Sequence, residues 1–445
     1  MKQEIDGLNQ QTTYIYYDAQ RQYAITRPNG RFEWTFWDAS GRQQSSKAQV
    51  AQQIRQTLLA RDAIGRQVQQ QAPDGQPTFY YYDAKNQLSA TVNCAGYVTR
   101  FIYDNRDRLT DTIVYANQID IGDTRLEQVL QHVKPCAKDR CQTTLYNPAG
   151  QILFEIDGEG GVVEHGYDSA GRTTKKIAHA IKLPKDTSRC LANIELLLIS
   201  SPGARETRYF YAADNQLIGE QDAAGYVIEY RRNALGKVTE QTQYATPMAL
   251  VDVFIRPAAD AKDAHTYFYY DARGQLLGEV NAENYLTEYA WSANGLLLKK
   301  THYAAQVEFD AAKTLDQLRP AMTAEDQSET HEYDLLNRRT QTVTSAKKIM
   351  IHRFDEMGHE TYYVENDLDD STQARAVSKK FDGWGQMVAE LNPRANAIAQ
   401  SGAMRNPWQL ATVYLYSDDG LLLSDINPLG YRTVYYYNNR RQLCF

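Results

Sequence analysis

Between its turns the chain alternates apolar and polar side chains in short runs, as in Leu88, Ala90 and Val92 against Gln87, Ser89 and Thr91. Such alternation predicts strands with two unlike faces. The runs end in turns of recurrent composition: an aromatic, then Asp or a near substitute, then Gly or Asn three residues later. The best copies are Tyr82-Asp83 to Asn86, Tyr167-Asp168 to Gly171, Tyr270-Asp271 to Gly274, Tyr333-Asp334 to Asn337, Phe354-Asp355 to Gly358 and Phe381-Asp382 to Gly385. Weaker copies keep the register at Tyr103-Asp104 to Asp107, Tyr146-Asn147 to Gly150, Tyr211-Ala212 to Asn215 and Tyr437-Asn438 to Arg441. With Asp18, Asp38, Asp62, Asn233, Ser292 and Ser417, the turns number 16.

Asp, Asn or Ser at the first position accepts a hydrogen bond from a backbone N–H a few residues on, and Gly or Asn at the fourth tolerates positive φ. A second set of turns lies midway, at Asn93 to Gly96, Asp157 to Gly160, Asp222 to Gly225, Asn281 to Asn284 and Asn427 to Gly430. The beat is constant: Asp83, Asn93, Asp104; Asn147, Asp157, Asp168; Ala212, Asp222, Asn233; Asp271, Asn281, Ser292; Ser417, Asn427, Asn438. The unit is therefore a repeat of about 21 residues, two strands and two turns. Strands of about 6 residues joined this tightly run as an antiparallel meander.

A longer period encloses the short one. Pairs of main turns begin at Asp83, Asn147, Ala212, Asp271 and Asp334, a step of roughly 64 residues that marks a second order of repeat. After four pairs come Tyr115-Ala116, His179-Ala180, Tyr244-Ala245 and Tyr303-Ala304, and then helical spacing. Leu126, Val129, Leu130 and Val133 follow Asp123; Leu191, Ile194 and Leu198 follow Ser188; Met248, Val251 and Phe254 follow Thr246-Pro247; Leu315, Leu318 and Met322 follow Asp310. These predict short amphipathic helices laid on the sheet. The organisation expected is irregular repeats over 1–70, a regular array with inserts over 71–365, and truncated repeats over 366–445.

Composition agrees with this pattern: of 445 residues 32 are Tyr against 12 Phe, with 26 Gly, which favours strands and tight turns. The 48 basic and 55 acidic residues give a net charge of −7 and no electrostatic footprint for nucleic acid or anionic lipid. No apolar run reaches the roughly 18 residues of a membrane span, so no membrane insertion is expected, and the start lacks a cleavable-signal pattern. Five cysteines without CxxC spacing, Cys94, Cys136, Cys141, Cys190 and Cys444, predict free, buried thiols rather than a disulfide scaffold.

The Tyr-Asp-x-x-Gly unit recurring at this beat, as in FIYDNRDRLT (101–110), YYDARGQLLGE (269–279) and GYDSAGRTTKK (166–176), resembles the RHS or YD-repeat family over nearly the whole chain. The resemblance implies a strip of β-sheet wound into a hollow shell, in the setting of toxin-encapsulating cocoons or cell-surface proteins. It also implies a C-terminal toxin or shell-completing polypeptide as partner, and secretion or surface display within an exported complex; the absence of a signal pattern on this chain allows cytoplasmic storage beforehand. The self-cleaving members carry a DPxG signature and paired aspartates. The nearest match, Asn427-Pro428-Leu429-Gly430, is a midway turn, and no cleavage centre carries over.

Candidate chemistry is sparse. Asp157-Gly158-Glu159-Gly160-Gly161 lacks the Lys of a P-loop and reads as a turn. The acidic run Glu365-Asn366-Asp367-Leu368-Asp369-Asp370 fails the EF-hand pattern at Asp370, where Gly is needed, and at Ala376, where Glu is needed. None of the eight histidines forms HExxH, and His179 stands where other repeats have Tyr, as a packing residue. Most tyrosines fall in repeated strand columns; Trp408 after Pro407 is the best candidate glycan contact.

The fold expected is therefore all-β: about thirty short strands in a continuous antiparallel strip of YD repeats, with short helical inserts, curled into a spiral or hollow shell wall because twist accumulates in long sheets. No catalytic residue, cofactor or metal is expected. The structural elements are the turn residues Asp83, Asp104, Asp168, Gly171, Asp271, Gly274, Asp334, Asp355, Gly358, Asp382 and Gly385. The alternative reading is a surface adhesion module that binds carbohydrate through exposed Tyr and Trp.

Overall fold

The computed structural model describes residues 1–445 except 121–125, 185–188, 199–202, 368–373, 403, 405, 439–441 and 445. The described strands, 32 in number, belong to one antiparallel sheet that does not close. Wherever registers are described, each strand pairs with its chain neighbour, as Pro77–Tyr82 does with Leu88–Val92 and Ile152–Ile156 with Gly161–Tyr167.

The turns explain this topology. At the main turns from Asp38 to Ser417 the first residue's carbonyl accepts from the fourth residue's N–H and its own N–H donates to the fifth residue's carbonyl, as in Asn86 N–H to Asp83 O (3.1 Å) and Asp83 N–H to Gln87 O (3.0 Å). The fourth residue has positive φ, 68° at Asn86, 84° at Gly171 and 78° at Gly274. This is a type I turn closed by a left-handed residue, which reverses the chain without splaying the strands. Because successive turns alternate between the two ends of the strands, the main turns line one edge of the sheet and the midway turns and inserts line the other.

Three inserts and one connection contain helix: α1 (Leu126–His132), α2 (Leu191–Leu198), α3 (Leu315–Leu318) and α4 (Pro393–Gln400). The expected start at Asp123 and the one at Ser188 lie outside the described residues. α3 stops before Met322 because Arg319 precedes Pro320, is extended (φ −60°, ψ 119°) and cannot continue the helix. The helix expected over 248–254 does not form. The Met248 N–H is used by Gly225 O (2.9 Å) and the Val251 N–H by Gln221 Oε1 (3.1 Å), so the segment is tied to the sheet as an irregular strap.

Packing divides the chain into two compact units. The first comprises residues 1–97, 119–129 and 329–445, and it joins early strands to a late turn. Asn29 Nδ2 donates to Gly383 O (3.3 Å), Trp384 Nε1 to Gln53 Oε1 (3.2 Å) and an Arg55 guanidinium N–H to Gln386 Oε1 (2.8 Å). A Cβ at Gly383 would lie 2.2 Å from Val50 Cγ1. This unit also holds a core of Leu391, Ala395 and Ala411 beneath α4.

The second unit comprises 98–118 and 130–328. Its cores are small and sit where inserts cover the sheet. One is Phe154, Ile156, Val162 and Leu183 against Ile194 of α2, and another is Val280, Leu286, Tyr303 and Val307 against Leu318 of α3. The thiols are free as expected but not buried: Cys190 and Cys444 are exposed, and Cys94, Cys136 and Cys141 are half-buried. Turn and strand-edge positions leave these side chains partly in solvent.

Candidate functional site

The main-turn edge carries a repeated set of side-chain ties. Asp168 Oδ1 accepts from the Ala170 and Arg172 N–H groups (both 2.9 Å) and its Oδ2 from Arg172 Nε (2.7 Å). The Arg172 guanidinium then lies 4.9 Å from the Tyr211 ring centre, at the next main turn, and the Tyr211 hydroxyl donates back to Thr173 O (3.0 Å). The same chain runs from Asp104 through Arg108 and Tyr146 to Leu109 O, and from Asp62 through Arg66 and Tyr82 to Gln67 O. At Asp334 the arginine is Arg338 under Phe354; at Asp355 its place is taken by His359, stacked on Phe381.

Asp83, Asp271 and Asp382 make the two backbone bonds but have Gln at the arginine position. Gly358 and Gly385 take φ of 89° and 81°. The side-chain and backbone bonds from Arg108 hold the Asp104 carboxyl at about 2, and backbone N–H groups chiefly hold Asp168 and Asp271 below the usual range. The tyrosine before the turns at Asp83, Asn147, Asp168, Ala212, Ser417 and Asn438 is thus a rivet between neighbouring hairpins, through a hydroxyl-to-carbonyl bond that Phe cannot make.

The opposite edge carries clamps on the inserts. Glu229, with a side chain only 5% exposed, accepts from the Tyr244 hydroxyl (2.5 Å) and from Arg256 Nε (2.9 Å). Glu288 likewise accepts from Tyr303 (2.5 Å) and Arg319 (2.6 Å). In the second insert Glu164 meets His179 Nε2 at 3.0 Å. Burial would raise the Glu229 carboxyl, but the hydrogen bonds from Arg256 and Tyr244 outweigh it and hold it below its ordinary value. Burial, then the bond to Glu229, pushes the Tyr244 hydroxyl up to about 12, and Tyr303 behaves alike. Beside the Glu229 and Glu288 clamps an aspartate from the insert's exit accepts the N–H of the alanine after the aromatic, Asp263 for Ala245 and Asp326 for Ala304 (both 2.9 Å), and in the first insert Asp139 does the same for Ala116 (2.8 Å). These residues hold one another in place, with His179 Nδ1 the one ring nitrogen among them that is buried without a partner.

The other singled-out residues are dispersed. Asp157 to Gly160 is a midway turn whose Gly160 takes φ +84°, and Leu183 O would stand 2.2 Å from a Cβ there. Among the described residues no three His, Cys, Asp or Glu side chains form a metal-holding group, and no helix is long and apolar enough to cross a membrane. Half of the acidic run, 368–370, lies outside the described residues. Trp408 is half-buried against Leu391, Ala395 and Ala411, with Lys380 Nζ 4.1 Å from its ring centre.

Sequence reasoning missed the clamp carboxylates, although Glu164, Glu229 and Glu288 stand at one common offset from the turn residues Asn147, Ala212 and Asp271. It also missed turns at Asp6–Asn9, Arg27–Gly30 and Ala72–Gly75; Pro28-Asn29-Gly30 and Pro73-Asp74-Gly75 are turn signatures that mark two of them. Asn392-Pro393 announces α4, since the Asn392 side chain caps the Ala395 N–H (2.9 Å).

The RHS repeat family model matches residues 82–118. Over 99% of its length the chain resembles the crystal structure of TcdB2-TccC3-TEV, at 12% identity and a TM-score of 0.58, covering 24% of that chain. It also resembles TcdB2-TccC3 without its hypervariable C-terminal region (13% identity, 97% of this chain, 26% of that one, TM-score 0.46). A third resemblance is to the Tc holotoxin pore of Photorhabdus luminescens (12% identity, 97% and 26%, TM-score 0.40). The chain therefore spans about a quarter of the solved chains it matches. No curated protein sequence matches it.

Proposed function

We propose that this chain is a non-enzymatic wall segment of an RHS/YD-repeat shell that encloses or displays a toxin or effector polypeptide. One observation carries the reading: a single unclosed antiparallel sheet, tied at every few hairpins along one edge and clamped along the other, in the fold of the TcdB2-TccC3-TEV chain. The carboxylates, tyrosines and arginines of the turn ties and clamps are engaged in holding hairpins together, and this supports a structural role. In this reading further repeat-bearing sequence completes the enclosure, and the assembly is exported or displayed as a complex. Affinity capture of the tagged chain from its source cell tests this. A stoichiometric repeat-bearing or effector chain, protected from protease while bound and degraded when released, is expected. Recovery of the chain alone, with no protection of any co-expressed polypeptide, would overturn it.

A further inference from the structure

Within the first unit the early strip meets late turns side by side. Gly7, in the Asp6–Asn9 reversal, lies against Leu335, whose carbonyl oxygen would stand 2.9 Å from a Cβ there. The Gln10 amide is placed to donate to Glu356 O (2.8 Å), and the Asn29, Gln53 and Arg55 side chains reach Gly383, Trp384 and Gln386. Trp384 also lies beside two cations, its ring centre 4.3 Å from the Arg55 guanidinium and 5.4 Å from that of Arg31. Each of these bonds involves a side chain. Among the described residues no backbone-to-backbone bond crosses the line, and the described registers pair only chain neighbours on either side of it. The residues that meet are half-buried or exposed, Leu335 at 74%. Cavities of about 460 Å³ and 380 Å³, the first lined by Gly383 and the second by Trp384, interrupt the packing.

We infer that this line is a seam: residues 1–55 and the turns of 334–386 part along it in one reversible local opening while every strand keeps its ladder. Opening forfeits side-chain hydrogen bonds that water replaces, cation–π contacts at a partly hydrated ring, and little buried apolar area. Unpairing a strand strips backbone bonds along its whole length, as over the registers that join Phe32–Trp37 to Gln43–Val50. It also empties cores such as that of Leu391, Ala395 and Ala411. The seam therefore opens well before the sheet does. Trp384 is its latch, since one indole engages Gln53, Arg55 and Arg31 together. On the wall reading above, such a seam passes an enclosed polypeptide without unfolding the sheet; that use rests on the wall reading, the opening itself does not.

Hydroxyl-radical footprinting of the full chain in rising urea tests this, with amide hydrogen exchange run in parallel. Trp384 and Met357, which lines the larger cavity, are expected to oxidise several-fold faster at urea concentrations where the amides of Phe32–Trp37 and Met387–Leu391 stay protected and Trp291 and Trp408 keep their native rates. Gln53→Ala and Arg55→Ala should each move that early step to lower urea and leave the amide step in place. Val50→Cys with Gly383→Cys sets two Cβ atoms 3.2 Å apart, close enough for a disulfide after a small shift. Once peptide mapping verifies the bridge, it should abolish the early step when oxidised and restore it when reduced; should the bridge not form, the two single variants decide. A single transition in which Trp384 and the strand amides move together, an early step indifferent to Gln53→Ala and Arg55→Ala, or one that survives the mapped bridge would each overturn the seam. No partner is present in the measurement, so a failed seam leaves the wall reading standing, and a failed capture leaves the seam standing.

Discussion

Removing Arg256 tests whether the buried carboxylates hold the inserts down. In the Arg256→Ala variant Glu229 keeps the Tyr244 hydroxyl and a distant Arg231, 3.8 Å away, but loses its bidentate partner. Breaking a fully buried pair costs about 3–5 kcal/mol. Arg256 itself is 57% exposed and one cation remains, so about 2 kcal/mol is the appropriate figure. The Met248 and Val251 N–H groups, bonded to Gly225 O and Gln221 Oε1, report the strap's opening. By native-state hydrogen exchange they should exchange roughly 30-fold faster, about 2 kcal/mol at tenfold per 1.4. Adding Glu229→Gln should cost much less than in the wild type, because its partner is already gone. The Glu229 carboxyl is held below its ordinary value, so the clamp is fully present above the unfolded-state value and is lost as pH falls through the folded one. Variant and wild type should therefore converge at acid pH. Exchange within threefold of wild type at Val251, or simple additivity with Glu229→Gln, would refute the clamp.

Other outcomes follow from the same geometry. Gly160→Ala should lower stability by about 3 kcal/mol or more, from a left-handed φ and a backbone clash with Leu183 O, whereas Gly30→Ala (φ +79°, open space) should cost about 1–2 kcal/mol; paired thermal melts distinguish them. Tyr146→Phe removes the hydroxyl bond to Leu109 O but keeps the ring under Arg108, so a loss of about 1 kcal/mol in urea titration is expected. Because Asp104 titrates at about 2 and Asp168, Asp271 and Asp334 are held below the usual range, the urea midpoint should hold above about pH 4 and fall as pH drops toward 2, less steeply in Asp104→Asn. Trp408→Ala should speed exchange across α4, whose core it covers; a glycan-array change without that loosening would instead mark Trp408 as a ligand contact.

The turns were legible because everything that makes them is local: Asp accepts from residues two and four on, and Gly or Asn takes positive φ three on. Strand number and pairing order follow from them. The inserts were only half legible. Met248, Val251 and Phe254 have helical spacing, yet Phe254 finds its partner in Phe210 (5.6 Å between ring centres) and the amides find theirs in the sheet, so packing outweighed periodicity. The clamps bring Tyr244 and Arg256 to Glu229 across strands, and Trp384 meets Gln53 from the far end of the sequence. The repeat register marks Glu229 and Tyr244, but no local pattern encodes Arg256 as their partner or Trp384 as that of Gln53.

That nearly every strand leans only on its chain neighbours bears on how the polypeptide comes together. Loop closure is short at each step, so each new hairpin can dock on the previous one as it emerges, zipper-fashion and in order of synthesis. The meeting of residues 29–55 with 383–386 is different: it must wait for the last hairpins, and is the natural slow step of assembly.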